Sequence, residues 1–214
     1  MFPYPKIQTV FKRDPAANYK TLLPTYSLPE FEFLKDNTWE FTEKIDGANI
    51  RLVIAPDGSL AVKGRADGSP LPGPLVNYLY DSWSPPVDMF PSGACLYGEG
   101  CGAGIQKGGG RYYDAQRFVL FDVWVSAGTP TDGWWLKRED VHDIAAKLRL
   151  HATPVIGEGT IHDMVKTIQA GVVSSFGSFE AEGIVARPKI RLLRSTGERI
   201  ITKLKGRDFR GTKS

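Results

Sequence analysis

The 214-residue chain, with 42% hydrophobic and 24% charged residues and a formal net charge of +3, has the composition of a protein that folds on its own. That balance excludes a disordered, collagenous or disulfide-scaffold chain, and a chain of this length buries about 70% of its unfolded surface. Its apolar runs are strand-sized and its first residues, MFPYPKIQTVFKRDP, contain no apolar segment of signal-peptide length, which excludes a transmembrane helix and points to the cytoplasm.

In chain order, residues 39–45 read as a strand. Residues 50–54 and 60–63 alternate apolar and polar around Pro56, Asp57 and Gly58, a turn whose residues permit the backbone angles of a hairpin. Residues 66–93, rich in Pro, Gly and aromatics, predict an irregular, partly helical excursion. Residues 94–97 form a short strand that feeds the glycine-rich stretch 98–104, and 118–125 (FVLFDVWV) form a strongly apolar strand. Two helices follow. In the first, Val141, Ile144, Ala145 and Leu148 recur at helical spacing; in the second, Ile161, Met164, Val165 and Ile168 repeat the pattern. Thr160 and Asp163 are placed as a capping box for the second helix, and Gly171 ends it. These apolar stripes are core rather than cofactor-binding faces. Residues 183–187 and 199–204 read as closing strands, and the whole predicts an α+β fold built on antiparallel sheets.

Cys95 and Cys101 do not form C-x-x-C, and His142, His151 and His162 lie far from them in sequence, so two reduced, semi-buried thiols are expected rather than a zinc site. His162 beside Asp163 lacks an activated Ser or Cys partner and is expected at the surface or a helix cap. Residues 187–214 carry ten Lys/Arg against Glu198 and Asp208, a net +8, which leaves −5 for the rest. A basic end on an acidic body suits contact with a polyanion, and equally a solvated charged face.

The chain contains neither G-x-x-x-x-G-K-[ST] nor G-x-G-x-x-G, so a P-loop or dinucleotide-binding turn has no support. What it does contain is an ordered series: Lys44-Ile45-Asp46-Gly47-Ala48-Asn49, then Lys63-Gly64-Arg65, Tyr97-Gly98-Glu99, Phe121-Asp122, Glu182-Gly183 and Lys203-Leu204-Lys205. A lone K-x-D-G specifies little; six segments in order across residues 40–205 specify much more. The series resembles the covalent nucleotidyltransferase superfamily of polynucleotide ligases and mRNA capping enzymes. Glu43 to Asn49 is similar to the E-K-x-H-G-x-N motif of ATP-dependent RNA ligases of the phage double-strand and editing type. Gly102-Ala103-Gly104-Ile105-Gln106-Lys107 resembles their G-x-G-I-Q-K segment. Asp46 stands where that branch usually has His; DNA ligases and capping enzymes carry Asp there.

The resemblance implies an adenylyltransferase core of antiparallel sheets flanked by helices, an ATP-grasp-like ligase fold. It implies that Lys44 attacks the α-phosphate of ATP to give lysyl-AMP, that Mg²⁺ or Mn²⁺ assists, and that Lys203 and Lys205 complete the catalytic set. An ordinary lysine, with a pKa of about 10.4, is almost wholly protonated at neutral pH; cations close to Lys44 disfavour its charged form and so favour attack. Residues 203 and 205 on a strand share one face, as joint phosphate contact requires. By the same resemblance Asn49 and Arg65 hold phosphate and ribose oxygens, Phe121 stacks on adenine, and Glu99 and Glu182 accept ribose hydroxyls or bind the metal. Asp122 is expected to orient a neighbouring lysine, and Arg111 and Arg117 are candidate added contacts.

The implied partner is RNA with nicked or structured ends, bound by a monomer with no role for a membrane, and the basic segment from Arg187 onward would neutralise its phosphates. DNA is the alternative that Asp46 favours. The short stretches outside 44–205 lead to the expectation of one nucleotidyltransferase domain over 1–214 with no C-terminal accessory domain, acting as a minimal ligase or with a separate accessory protein. A capping guanylyltransferase fits less well, because its partner domain has no room. A binding module built on an inactive ligase core is the remaining reading.

Overall fold

The computed structural model describes residues 2–83, 86–129 and 131–209. Arg210 and Lys213, two of the basic residues counted above, lie outside the described residues. Along the chain run β1 (Gln8–Thr9), β2 (Phe11–Arg13), β3 (Leu22–Tyr26), α1 (Pro29–Phe33), β4 (Trp39–Lys44), β5 (Ala48–Ile54), β6 (Leu60–Gly64) and α2 (Gly73–Ser82). Then come β7 (Ala94–Cys101), β8 (Arg117–Ser126), β9 (Gly133–Trp135), α3 (Arg138–Lys147), β10 (His151–Ala152), β11 (Val155–Gly159), α4 (Ile161–Ala170), β12 (Gly183–Pro188) and β13 (Thr202–Lys205). The predicted α+β class with mostly antiparallel sheets is borne out. The chain divides into two compact units, one formed by residues 1–5 and 46–153 and the other by residues 6–45 and 154–214.

The first unit is built on a sheet ordered β10-β8-β7-β5-β6, with β9 paired to β8. Ala55 to Ser59 close the predicted β5–β6 hairpin: Gly58 sits at φ +81° and the Ala55 amide donates to Ser59 O at 2.9 Å. Alternation sorts β5 into two faces. Ile50, Leu52 and Ile54 face a core completed by Leu75 and Leu79 of α2 and by Val141, Ala145 and Leu148 around α3. Asn49, Arg51 and Val53 face the other way and pair in register with Glu99, Tyr97 and Cys95 of β7. Aromatics cover much of that second face. The Tyr4 ring centre lies 5.2 Å from that of Tyr97, the Phe2 ring packs edge-on against Trp124 at 5.1 Å, and the Tyr97 hydroxyl donates to Phe2 O at 2.8 Å. The stretch expected as an irregular, partly helical excursion contains the ten-residue helix α2. Leu75 and Leu79, four apart, anchor its buried side. Cys95 and Cys101 are fully buried rather than semi-buried, and burial pushes their thiols up to about 11 and about 12, so they are unreactive at neutral pH.

The second unit holds a sheet ordered β1-β13-β12-β4-β11 and a β2–β3 ribbon. Trp39 and Phe41 of β4, Ile184 and Ala186 of β12 and Leu204 of β13 bury one face against Ile161, Met164 and Ile168 of α4. The Trp39 indole N–H donates to Leu34 O at 2.9 Å, which satisfies the polar atom of a fully buried ring. The capping box forms as the sequence predicts: Thr160 Oγ1 accepts from the Asp163 amide at 3.1 Å, and Asp163 Oδ2 accepts from the Thr160 amide at 3.0 Å. His162 beside it is exposed.

The closing strand expected over 199–204 begins only at Thr202. The preceding residues are spent on a turn, in which the Arg194 amide donates to Glu198 O at 2.8 Å and Leu193 bridges Arg199. Strands β1 and β2, two and three residues long, are too short to carry a periodic signal. Among the described residues no helix is long and apolar enough to cross a membrane. Replacing Thr160 with Ala removes one half of the reciprocal cap and lowers unfolding free energy by about 1 kcal/mol; urea denaturation with an unchanged m-value checks this.

Candidate active site

In the second unit the sheet register builds the site. Gly183 of β12 pairs with Lys44 of β4 on one side and with Lys205 of β13 on the other, so the two lysines flank the start of β12. Gly183 is required there because a Cβ would lie 2.1 Å from Leu204 O, holding β12 away from β13. Glu182, the residue before it, reaches both neighbours: Lys44 Nζ donates to Oε2 at 2.5 Å and Lys205 Nζ lies 2.5 Å from Oε1. The side chains of Lys44, Glu182 and Lys205 are 20%, 14% and 16% exposed, so the carboxylate is bracketed by two ammoniums in a poorly hydrated place. Burial pushes the Glu182 carboxyl up, but the charges and hydrogen bonds of Lys44 and Lys205 outweigh it, and the pKa falls below the ordinary 4.5. Lys203 shares the half-exposed face of β13 with Lys205, while Thr202 and Leu204 point to the buried side.

A residue given no role from sequence supports this arrangement. Alternation along β4 puts Glu43 on the side of Trp39 and Phe41, and it is 1% exposed. Its carboxylate is satisfied by the segment that leads to Glu182: Ser174 Oγ donates to Oε1 at 2.6 Å and the Ser175 amide to Oε2 at 2.8 Å. The Glu182 carbonyl in turn accepts from the Gly206 amide at 3.0 Å. A glutamate at a core-facing position of a strand was the sequence signal that could have singled it out.

The first unit carries the other predicted residues. Asn49 and Glu99 are direct register partners on β5 and β7. Asn49 Oδ1 is buried with no hydrogen-bond partner among the described residues, as suits an acceptor that awaits a ligand donor. The turn at Asp46 and Gly47 is held by the glycine-rich stretch: the Asp46 amide donates to the Tyr112 hydroxyl at 3.2 Å and Gln106 Nε2 to Gly47 O at 3.2 Å. Only glycine fits at position 47, where a Cβ would lie 2.1 Å from Gly100 O. Arg65 is exposed in the loop after β6. Phe121 sits at the β8 bulge, half-buried, with the Tyr4 ring edge-on at 4.9 Å and its carbonyl accepting from Arg138 Nη1 at 3.0 Å. Asp122 is fully buried and accepts from the Tyr4 hydroxyl at 2.7 Å, a tyrosine partner that the sequence reading did not identify. Arg117 lies over the Tyr78 ring at 4.9 Å, and Arg111 Nε makes a long 3.4 Å contact with Gly108 O.

A family model described as RNA ligase matches residues 37–205. No curated protein matches the chain. Among solved structures, a substituted apo form of Naegleria gruberi RNA ligase superposes with a TM-score of 0.60 at 17% identity, covering 100% of this chain and 60% of that one. A substituted form of the same ligase with ATP and Mn gives 0.59 at 17% identity, covering 96% and 57%. The form with PPi gives 0.59 at 18% identity, covering 96% and 58%. The likeness is one of fold, and the chain spans somewhat under two thirds of the length of these structures.

Because the Glu182 pKa is depressed on folding, its ion pairs stabilise the fold above the ordinary 4.5 and lose that contribution as pH falls through the lower folded value. The stability gap between wild type and Glu182→Gln is therefore full at neutral pH and closes in that acidic window, as urea denaturation across a pH series will show.

Proposed function

The chain belongs to the RNA ligase family, and from that premise we propose that it joins RNA 5′-phosphate and 3′-hydroxyl ends with ATP, through an adenylate held on Lys44. The observation that carries this reading is the pairing of Lys44 and Lys205 through one carboxylate, Glu182. In the free protein that carboxylate is the ion-pair partner of Lys44 Nζ. A bound nucleotide offers Glu182 ribose hydroxyls in its place, so the pair opens and Nζ is free to approach the α-phosphate. Lys203 and Lys205 neutralise charge on the phosphate oxygens. Nζ forms a bond to the α-phosphorus while the bond to pyrophosphate breaks, and pyrophosphate leaves.

Two further transfers complete the cycle. An oxygen of an RNA 5′-phosphate takes AMP from Lys44, and a 3′-hydroxyl then attacks that 5′-phosphorus, closing the phosphodiester and expelling AMP. On this reading Asn49 and Arg65 hold ribose and phosphate oxygens, Phe121 lies against the adenine, and Glu99 and Glu182 are each carboxylates that would offer hard oxygen to Mg²⁺ or Mn²⁺. The donor chemistry fits such a cation, which supplies further neutralisation of phosphate charge. Among the described residues no group of three or more His, Cys, Asp or Glu is gathered to hold one.

The family match favours RNA, and DNA is the alternative that Asp46 favours. On this reading residues 1–214 form one nucleotidyltransferase domain, working as a monomer with or without a separate accessory protein. The unpaired, buried Cys95 and Cys101 agree with a reducing cytoplasm.

Intact mass after incubation with ATP and Mg²⁺, on protein first freed of bound AMP, tests the first step: wild type gains about 329 Da and Lys44→Ala gains nothing. Absence of the adduct from wild type overturns the enzymatic reading, and labelling by GTP in place of ATP favours a capping enzyme. Nicked duplexes with RNA or DNA on the 3′-hydroxyl side then separate the substrates, and sealing of DNA alone removes the RNA assignment.

A further inference from the structure

Arg51 is a charged residue buried in the middle of β5, and the reaction outlined above gives it no task. Its side chain is 0% exposed. Nε donates to Gly64 O at 2.8 Å, Nη2 donates to Asp67 Oδ1 at 2.8 Å, and the buried Nη1 has no hydrogen-bond partner among the described residues. A guanidinium buried with a donor left over is a poor choice for stability, since an apolar residue of similar volume would fill the place without desolvating a charge. What the planar fork does achieve is to hold two points of the chain at once. Those points are one residue before and two residues after Arg65.

The loop between them has little else to fix it. Ser69 closes it locally, its amide donating to Ala66 O at 3.1 Å and its hydroxyl accepting from the Ala66 amide at 3.2 Å. Gly68 takes the left-handed turn at φ +81°, and Asp67 and Arg65 are exposed. Beside the fork, Lys63 Nζ lies 3.6 Å from Asp67 Oδ1 and adds only a weak second tie. The rigid partner is therefore the sheet, through Arg51, and the element held is the loop that carries Arg65.

We propose that Arg51 is the positioning residue for Arg65, anchoring both ends of its loop so that the exposed guanidinium is presented to the nucleotide in one orientation. This rests on the reading of Arg65 as a nucleotide contact. Without the fork, Arg65 keeps its charge but must be ordered by the ligand at each binding event, and affinity for ATP falls by that ordering cost.

The test measures the rate of Lys44 adenylylation against ATP concentration, which separates half-saturation from limiting rate, for Arg65→Ala, Asp67→Ala, Arg51→Lys and the Arg65→Ala/Asp67→Ala pair. Asp67→Ala removes an exposed side chain, and circular dichroism with a thermal melt checks that it and Arg51→Lys are folded before the rates are compared. The expected result is a rise in half-saturating ATP of about tenfold for Arg65→Ala and about threefold or more for Asp67→Ala, with no further rise in the pair. Arg51→Lys, which keeps the charge and loses the fork, is expected to follow Asp67→Ala. If Arg65→Ala leaves half-saturation and limiting rate at wild-type values, the reading of Arg65 itself fails. If Arg65→Ala is impaired while Asp67→Ala is not, or if their effects multiply in the pair, the positioning role alone is overturned.

Discussion

The chemistry of the second unit depends on one carboxylate between two ammoniums. Glu182 is poorly hydrated, and a carboxylate there would ordinarily take up a proton; Lys44 on one side and Lys205 on the other keep it charged. Equally, neither lysine is left as an isolated positive charge on a half-buried face. The triad is stable because its charges alternate along a row, and Lys44 Nζ has a further, long contact with Ile45 O at 3.5 Å. On the proposed function, a ligand that brings phosphates and hydroxyls would offer every member a replacement partner, and such an exchange would keep the cost of opening the pair small.

That row exists only because the sheet is in register. Lys44, Gly183 and Lys205 come from three strands far apart in sequence, and a slip of one residue on β12 would send Glu182 to the opposite face. Several features oppose a slip. Ile184 and Ala186 are committed to the core, Gly183 admits no side chain, and the buried Glu43 binds the Ser174–Ser175 segment that leads into Glu182. The first unit uses the same logic with other means, fixing the Asp46–Gly47 turn by Tyr112 and Gln106 and the Arg65 loop by Arg51.

The basic segment from Arg187 onward is less available than its +8 suggests. Lys189 pairs with Glu158 at 2.5 Å, and Arg194 pairs with Glu30 at 2.7 Å and Glu198 at 2.9 Å. Lys205 is committed to Glu182. Exposed pairs of this kind are screened by solvent and contribute little, so a phosphate can displace a carboxylate from Lys189 with little loss. The segment can still meet a polyanion, but by exchanging partners rather than by offering bare charge.

The sequence by itself determined the elements whose residues carry their own signal. The β5–β6 hairpin followed from alternation around Pro56, Asp57 and Gly58, α4 from its apolar stripe and capping box, and the candidate site from six short motifs in order. The hairpin and the helix are local patterns, set by side-chain period and backbone permissiveness, that need no distant partner to be read; the site was legible through its resemblance to a known family. Only the tertiary structure decided that Glu182 bridges Lys44 and Lys205, that Asp122 meets Tyr4, that Glu43 secures the approach to Glu182, and that Arg51 grips the loop around Arg65. Tyr4 and Asp122 are 118 residues apart, and Lys44 and Glu182 are 138 apart. No local pattern encodes such pairings, because they are fixed by strand register and by the burial of charge that register imposes.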